Sequence, residues 1–483
     1  MNPENVIAAN RFGLGARPGE LAAIGRDARD WLAPQIEGSR RPPEAIRGLP
    51  SSAAAFEAYS DGQQERRETR KQRQDSGEQD SREKTRGKES EVSAAQRIVA
   101  GIRQKLAPMY LEQVAARYRA AVRTQEPWRE RLVHFWANHF AVSADKPQVI
   151  ALAGTLENEA IRPHVAGRFV DMLLAVEMHP AMILYLDNQA SIGPNSELAE
   201  RAGRRARNAE RKLDINENLA REILELHTLG VNGGYSQADV TAFALALTGW
   251  SIGGARGRLR EGKPGTFEFR DGLHEPGART ILGHRYGEDG VAQPRAVLKD
   301  LAAHPATATH VATKLVRHFV ADEPPPAAVE RVAKAYRDSD GSLPAVHRAL
   351  LSLPEAWSDP SPKFKTPHEF VVSTFRMLDF VPEEPRQIAA PFELLGQRPW
   401  SPGSPAGWPD TADRWDGPDA LLKRIEWASA AGERAGAGAQ PLELAAQALG
   451  GALREHTRTA ISRAASAAQG VTLLLASPEF QRR

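Results

Sequence analysis

A chain of 483 residues without a single cysteine excludes disulfides, thiolate catalysis, cysteine-ligated zinc and iron–sulfur clusters. Apolar residues make up 41% of it, enough for a substantial buried core. Lysine and arginine number 63 against 61 acids, a net charge of +2 that disfavours wholesale attachment to nucleic acid or an anionic membrane.

The opening stretch, MNPENVIAANRFGLGARP, has neither a basic region followed by an apolar run nor a twin arginine. No stretch approaches the ~18 apolar residues of a spanning helix. The chain as written is expected to be cytoplasmic, with export requiring a signal-bearing partner. Residues 18–36 predict a short helix and turn that pack through Trp31 and Leu32. From 61 to 92 both charge signs are mixed almost without apolar residues, so the segment cannot offset its ordering entropy. It is expected to be a disordered insertion joining two helices of one domain. Acids interleave its bases and no aromatics supply stacking, which argues against RNA binding.

Helix is expected to resume near Ser93, and Pro127 suits the first turn of the next one, WRERLVHFWANHF. Its apolar arc is Leu132, Val133, Phe135, Trp136 and Phe140, with His139 in the middle and His134 and Asn138 together on the other side. A helix over GRFVDMLLAVEMHPAMILYLDN is expected to break at Pro180. The basic run RAGRRARNAERK (201–212) is diluted by Glu197, Glu200 and Glu210 and reads as a solvated loop.

Asp214 to Trp250 is the densest stretch. Asp214 is placed as an N-cap and Gly230 as the residue after a C-cap, with Ile215, Leu219, Ala220, Ile223, Leu224 and Leu226 on one apolar arc. Asn216 and His227 fall inside that arc and Glu222 at its edge. Burying such groups costs a few kcal/mol, roughly, unless each finds a partner. Ser236 and Asp239 then form a capping box before a nearly apolar helix that stops at Gly249.

Residues 266–283 carry the strand signal: TFEFR, the turn DGLHEPG with His274 and Glu275, then RTILG, read as one β-hairpin. In HPATATHVATKLVRHFV, Val311, Leu315, Val316 and Phe319 face inward, and His310, Lys314, Arg317 and His318 form the opposite stripe. A solvated face is the plainer reading of that stripe, an anionic ligand site the sharper one. Thr366 and Glu369 make a second capping box around Pro367. The loop 395–415 carries Trp400, Trp408 and Trp415, either packed on itself or exposed as a stacking platform.

These elements predict a mainly α protein with one hairpin. Residues 1–60 and 93–483 would form one helical domain, or two packed halves divided near 255–300. The polar groups set in apolar faces nominate a pocket: His139, His227, Glu222 and Asn216 as catalytic candidates. His274, Trp408, Trp415, Arg317 and Lys314 are the binding candidates. The alternative is a hydrogen-bonded structural role for the same histidines. His139, His227 and Glu222 are also the metal-ligand candidates, suited to a divalent ion, although no H-E-x-x-H signature is present.

Several segments together resemble a bacterial family known only as a domain of unknown function, number eighteen hundred. They are NENLAREILELHTLGVNGGYSQADV with ALTGW, NRFGLGARPGEL, WRERLVHFWANHFAVS, PAMILYLDN, HEPGARTILG, KFKTPHEF, LGQRPW with GWPD, and LLLASPEF. The resemblance spans nearly the whole chain outside two charged segments and brings no established reaction. It implies company: genes for an exported phosphatase- or sulfatase-like protein often lie beside those of the family. Three classes follow from the sequence. One is an enzyme with an internal His/Glu/Asn pocket, of hydrolytic or redox type. The second is a binding or maturation partner of that exported protein, and the third, a nucleic-acid binder, is disfavoured by the charge balance.

Overall fold

The computed structural model describes residues 2–38, 41–62, 87–205, 215–254, 262–358 and 363–483. Most of the charged segment 61–92 lies outside them, as does Asp214; residues 87–92 begin the long helix Gly87–Arg123, several residues before Ser93. Of the basic run 201–212, residues 201–205 end the helix Glu197–Arg205 and the rest lie outside the described residues.

The helices start where local chemistry supplies their first acceptors. Ser236 with Asp239 and Thr366 with Glu369 form capping boxes. Two His-Pro pairs use one solution: Nδ1 of His179 accepts from Ala181 N–H, and Nδ1 of His304 from Ala306 N–H, each at 3.1 Å. The prolines that follow them occupy a position whose N–H would be unsatisfied in any case. Buried apolar side chains from Val6 to Phe480 then join in one continuous core. Phe12 ties its two ends, packing on Phe319 and Trp357.

Among the described residues, three helical stretches widen into π-turns: Ala8–Phe12, Leu156–Ile161 and Ile223–His227. Such turns are rare, and they shift carbonyls and side chains off the ordinary helical ladder. Glu157 and His227, both buried, sit on two of them.

Strand structure is confined, among the described residues, to two small antiparallel pairs. Both segments of the expected hairpin form, but they do not pair with each other. Phe267–Phe269 pairs with Trp250–Ile252, and Arg279–Ile281 pairs with His284–Tyr286. The reason is the intervening DGLHEPG: Asp271–Leu273 is a 3₁₀ turn, and His274 and Glu275 are pulled down onto Thr248. No helix of the described residues is long and apolar enough to cross a membrane.

Candidate functional site

The helix bearing His227 ends in its π-turn, closed by Leu229 N–H to Leu224 O at 3.0 Å and by Thr228 Oγ1 to Ile223 O at 2.6 Å. Ending this way leaves the carbonyls of Leu226 and His227 in need of donors. They find them in imidazoles. His310 Nε2–H donates to Leu226 O at 3.0 Å, and His139 Nε2–H donates to His227 O at 3.1 Å. Gly230 follows with φ +84°, where an added Cβ would stand 2.8 Å from His310 Nδ1. His227 Nδ1 lies 2.8 Å from Glu177 Oε1, both fully buried, in a contact not aligned as a hydrogen bond. So the fold brings His139 and His227 together, with Glu177 and His310 added, and uses two of the imidazoles to cap a helix end. Burial, reinforced by Lys314, pushes His139 well below the ordinary imidazole value and His310 to about 4.

The other candidates are placed apart from this pair. Asn216 is occupied at both ends of its amide, donating to Leu186 O at 3.0 Å and accepting from Asn218 N–H at 2.8 Å. The helix itself starts at Asn218, with Glu217 at its N-cap position. Glu222 is half-buried and makes no side-chain hydrogen bond or ion pair among the described residues; burial raises its carboxyl. His274 Nδ1–H donates to Thr248 O at 2.9 Å, and Glu275 accepts from the backbone and side chain of Asn195 at 2.7 and 2.6 Å. Trp415 packs against Trp408 at 6.0 Å and donates to Pro409 O, so the loop covers its own aromatics. Arg317 donates to Asp322 O. Lys314 has no hydrogen bond or ion pair among the described residues, and burial holds its ammonium at about 8.

A different group of polar side chains lines a narrow cleft between the helices Pro127–His139, Pro305–Phe319 and Pro367–Met377 and the tryptophan loop. The cleft encloses about 80 Å³, room for a few waters or one small group and below the ~300–1,000 Å³ of drug-sized ligand sites. Tyr118, His368 and His134 stand in file along it. The Tyr118 hydroxyl lies 3.1 Å from His368 Nδ1, and His368 Nε2 lies 3.0 Å from His134 Nδ1. His134 Nε2 faces Glu130 Oε1 at 3.4 Å, a contact longer than a good hydrogen bond. Arg162 grips Glu130 with both guanidinium nitrogens, at 2.6 and 2.8 Å.

The order of protons along the file follows from that last pair. Burial works against a charged Glu130, but Arg162 overrides it and holds the carboxyl far below its usual range. An ionised Glu130 fixes His134 as the Nε2–H tautomer, which leaves its Nδ1 to accept from His368 Nε2–H. His368 Nδ1 in turn accepts the phenolic proton of Tyr118. Burial, reinforced by Arg117 at His134 and by His134 at His368, depresses both imidazoles. Both are therefore neutral at pH 7, as the arrangement requires.

Beside the file, His318 Nδ1 lies 2.8 and 2.9 Å from the two oxygens of Asp410. Burial leads, despite Asp410, in holding His318 at about 4. Its Nε2 is enclosed without a partner. The cleft floor carries Glu369, whose carboxylate closes the capping box with Thr366 N–H and also pairs with Arg131 and with Arg483 Nε at 2.7 Å. Arg117 pairs with Glu157 at 2.9 Å, and Trp400 Nε1–H donates to the same carboxylate.

Among the described residues no group of three or more histidine, aspartate or glutamate side chains is arranged to hold a metal ion. His134, His368, Tyr118 and Glu130 were not singled out from sequence. A usable signal existed, since Glu130 and His134 are four apart and share a helix face. Helical spacing sets His134 on the side away from the apolar arc, yet the Pro127–His139 helix is buried almost all round.

Fold and cleft together define a helical protein with a buried, hydrogen-bonded file of ionisable groups opening on a small cavity. The chain matches the model of the family described as "Protein of unknown function (DUF1800)" over residues 7–482, and it belongs to that family. No curated protein and no solved structure matches it.

Proposed function

We propose that this protein is an acid–base enzyme that activates water in the cleft lined by Tyr118, His368 and His134. The observation that carries the reading is the file of hydrogen bonds from Tyr118 through His368 to His134, with the ionised Glu130 3.4 Å from His134 Nε2 orienting its protons from the far end. A water in the cleft gives its proton to the Tyr118 oxygen as the phenolic proton passes to His368 Nδ1. The proton on His368 Nε2 then moves to His134 Nδ1. It goes no further, because Arg162 keeps Glu130 ionised; the carboxylate stabilises the imidazolium instead of accepting its proton. The hydroxide left in the cleft attacks an electrophilic carbon, phosphorus or sulfur centre, and the same file returns the proton to the leaving group.

The test is hydrolysis of a panel of nitrophenyl acetate, phosphate and sulfate by the wild type, Tyr118→Phe and His368→Gln. Turnover by the wild type is expected to fall roughly 10²–10⁴-fold in both variants while helical circular dichroism is retained. Equal rates in folded variants, or no turnover of any ester by the wild type, would overturn the reading.

A further inference from the structure

The helix Pro367–Met377 ends in a tight reversal that leaves a phenylalanine on the outside of the protein. Phe380 N–H donates to Phe375 O at 3.0 Å, and Asp379, paired with Arg17 at 3.2 Å, takes a left-handed φ of +47°. Left-handed backbone is uncommon for a residue that carries a side chain. Phe380 emerges from it 47% exposed, and Leu394, at the end of the helix Pro385–Leu394, is 46% exposed. Both line a groove that encloses about 430 Å³, within the ~300–1,000 Å³ of small-molecule sites.

The groove is apolar in its body and basic where it meets solvent. Phe375, Leu378, Pro391 and Trp427 line it, and the short side chains of Ala390, Ala430 and Ala431 leave it open. Its polar residues are Gln387, Arg386 and Arg434, all exposed, the arginines coming from the helices Pro385–Leu394 and Pro418–Ala435. Neither arginine makes a hydrogen bond or ion pair among the described residues. Among those residues no carboxylate lines the groove either. Asp379 is taken by Arg17, Glu384, Glu393, Glu426 and Glu433 are exposed outside the lining, and Glu443 belongs to a neighbouring hollow that shares Phe380. An apolar chain laid in such a groove removes apolar surface from water. Planar guanidinium donors are matched by the oxygens of a carboxylate.

We propose that this groove binds an anionic amphiphile, a single alkyl chain ending in a carboxylate, with the chain against Phe375, Trp427 and the alanines and the head met by the two arginines. Both parts are needed. A short anion would leave the apolar lining in water, and a neutral chain would leave the guanidinium groups without a counter-charge. The groove shares no lining residue with the cleft at Tyr118, so the inference stands or falls apart from the enzyme reading.

Calorimetry with sodium decanoate, decanol and sodium acetate tests it on the wild type, Ala430→Trp and the double variant Arg386→Met/Arg434→Met. All three side chains are exposed, so both variants are expected to keep the Tm and circular dichroism of the wild type. Decanoate is expected to saturate one site on the wild type, decanol to bind roughly fivefold more weakly, and acetate not to bind. The double variant is expected to lose the preference for decanoate over decanol, and Ala430→Trp, which fills the groove, to bind neither. If decanoate does not saturate, or if it binds Ala430→Trp or the double variant as it binds the wild type, the inference is wrong. A wild-type dimer on a sizing column, reduced to a monomer by Ala430→Trp and indifferent to decanoate, would give the groove to a second copy and equally overturn it.

Discussion

His139 and His310 each donate one N–H to a carbonyl at the end of the His227 helix, and this explains why a costly polar group sits in an apolar helix face. His139→Ala would leave the His227 carbonyl without its donor in the interior and open a cavity among Phe140, Trp136 and Phe169. The expected loss is about 3–5 kcal/mol, combining an unsatisfied buried group with missing packing. His310→Ala, at a partly solvated site where water can replace the donor, is expected to cost about 1–2 kcal/mol. Urea denaturation of both variants checks the order; a His139→Ala protein as stable as the wild type would show that the cap is not holding the helix end. The buried position of His139 and His227 was readable from helical spacing. Their partners were not, because one is a carbonyl exposed by a π-turn and the other, Glu177, comes from a helix some fifty residues earlier.

At the scale of elements, the tryptophan loop is fastened to the Pro127–His139 helix through a single side chain. Asn138 donates to Trp408 O at 2.9 Å and accepts from Trp408 N–H at 2.7 Å, imitating one rung of a sheet. Gly407 makes the approach feasible: its φ is +83°, and a Cβ would fall 2.3 Å from Asn138 O. Asn138→Ala is expected to cost about 2 kcal/mol for the two bonds, and Gly407→Ala at least as much through strain and clash. Both should speed amide exchange across 400–415, leaving the His227 helix protected. Unchanged exchange in that loop would show that its own packing, Trp415 on Trp408, is sufficient. The same loop illustrates what pattern reading reaches. Composition marked it as an aromatic loop, and capping chemistry marked the helix at Thr366, but neither states that Glu369, while closing its cap, also meets Arg131 and Arg483. Residue type marked Phe267–Phe269 and Arg279–Ile281 as strands but not their partners Trp250–Ile252 and His284–Tyr286, because the pairing depended on Thr248 drawing down the loop between the first two.

For the whole molecule, six buried or half-buried imidazoles share one electrostatic condition. Burial leads in lowering His134, His139, His310, His318, His347 and His368, the last three together with Lys314-flanked His310 forming parts of the walls described above or of the core beside Trp128. A group whose folded pKa lies below its unfolded value of about 6.5 is neutral in both states at pH 8. As the pH falls through 6.5 the unfolded chain takes up the proton first, so stability declines until the folded pKa is reached, at about 4 for His310 and His318 and about 3 for His347. Each such group removes about 1.4 kcal/mol per pH unit well below 6.5, so His310, His318 and His347 together remove about 4 kcal/mol per unit, and His134, His139 and His368 act in the same direction. Against a typical stability of about 5–15 kcal/mol, unfolding is expected to set in by about pH 5. His347 isolates the cause. It is fully buried with neither ring nitrogen bonded, so His347→Leu is expected to raise stability at neutral pH by about 1–2 kcal/mol and to lower the proton uptake on acid unfolding by one. Tm followed from pH 8 to 4 in both proteins measures this; parallel curves would assign the acid transition to groups other than the buried histidines.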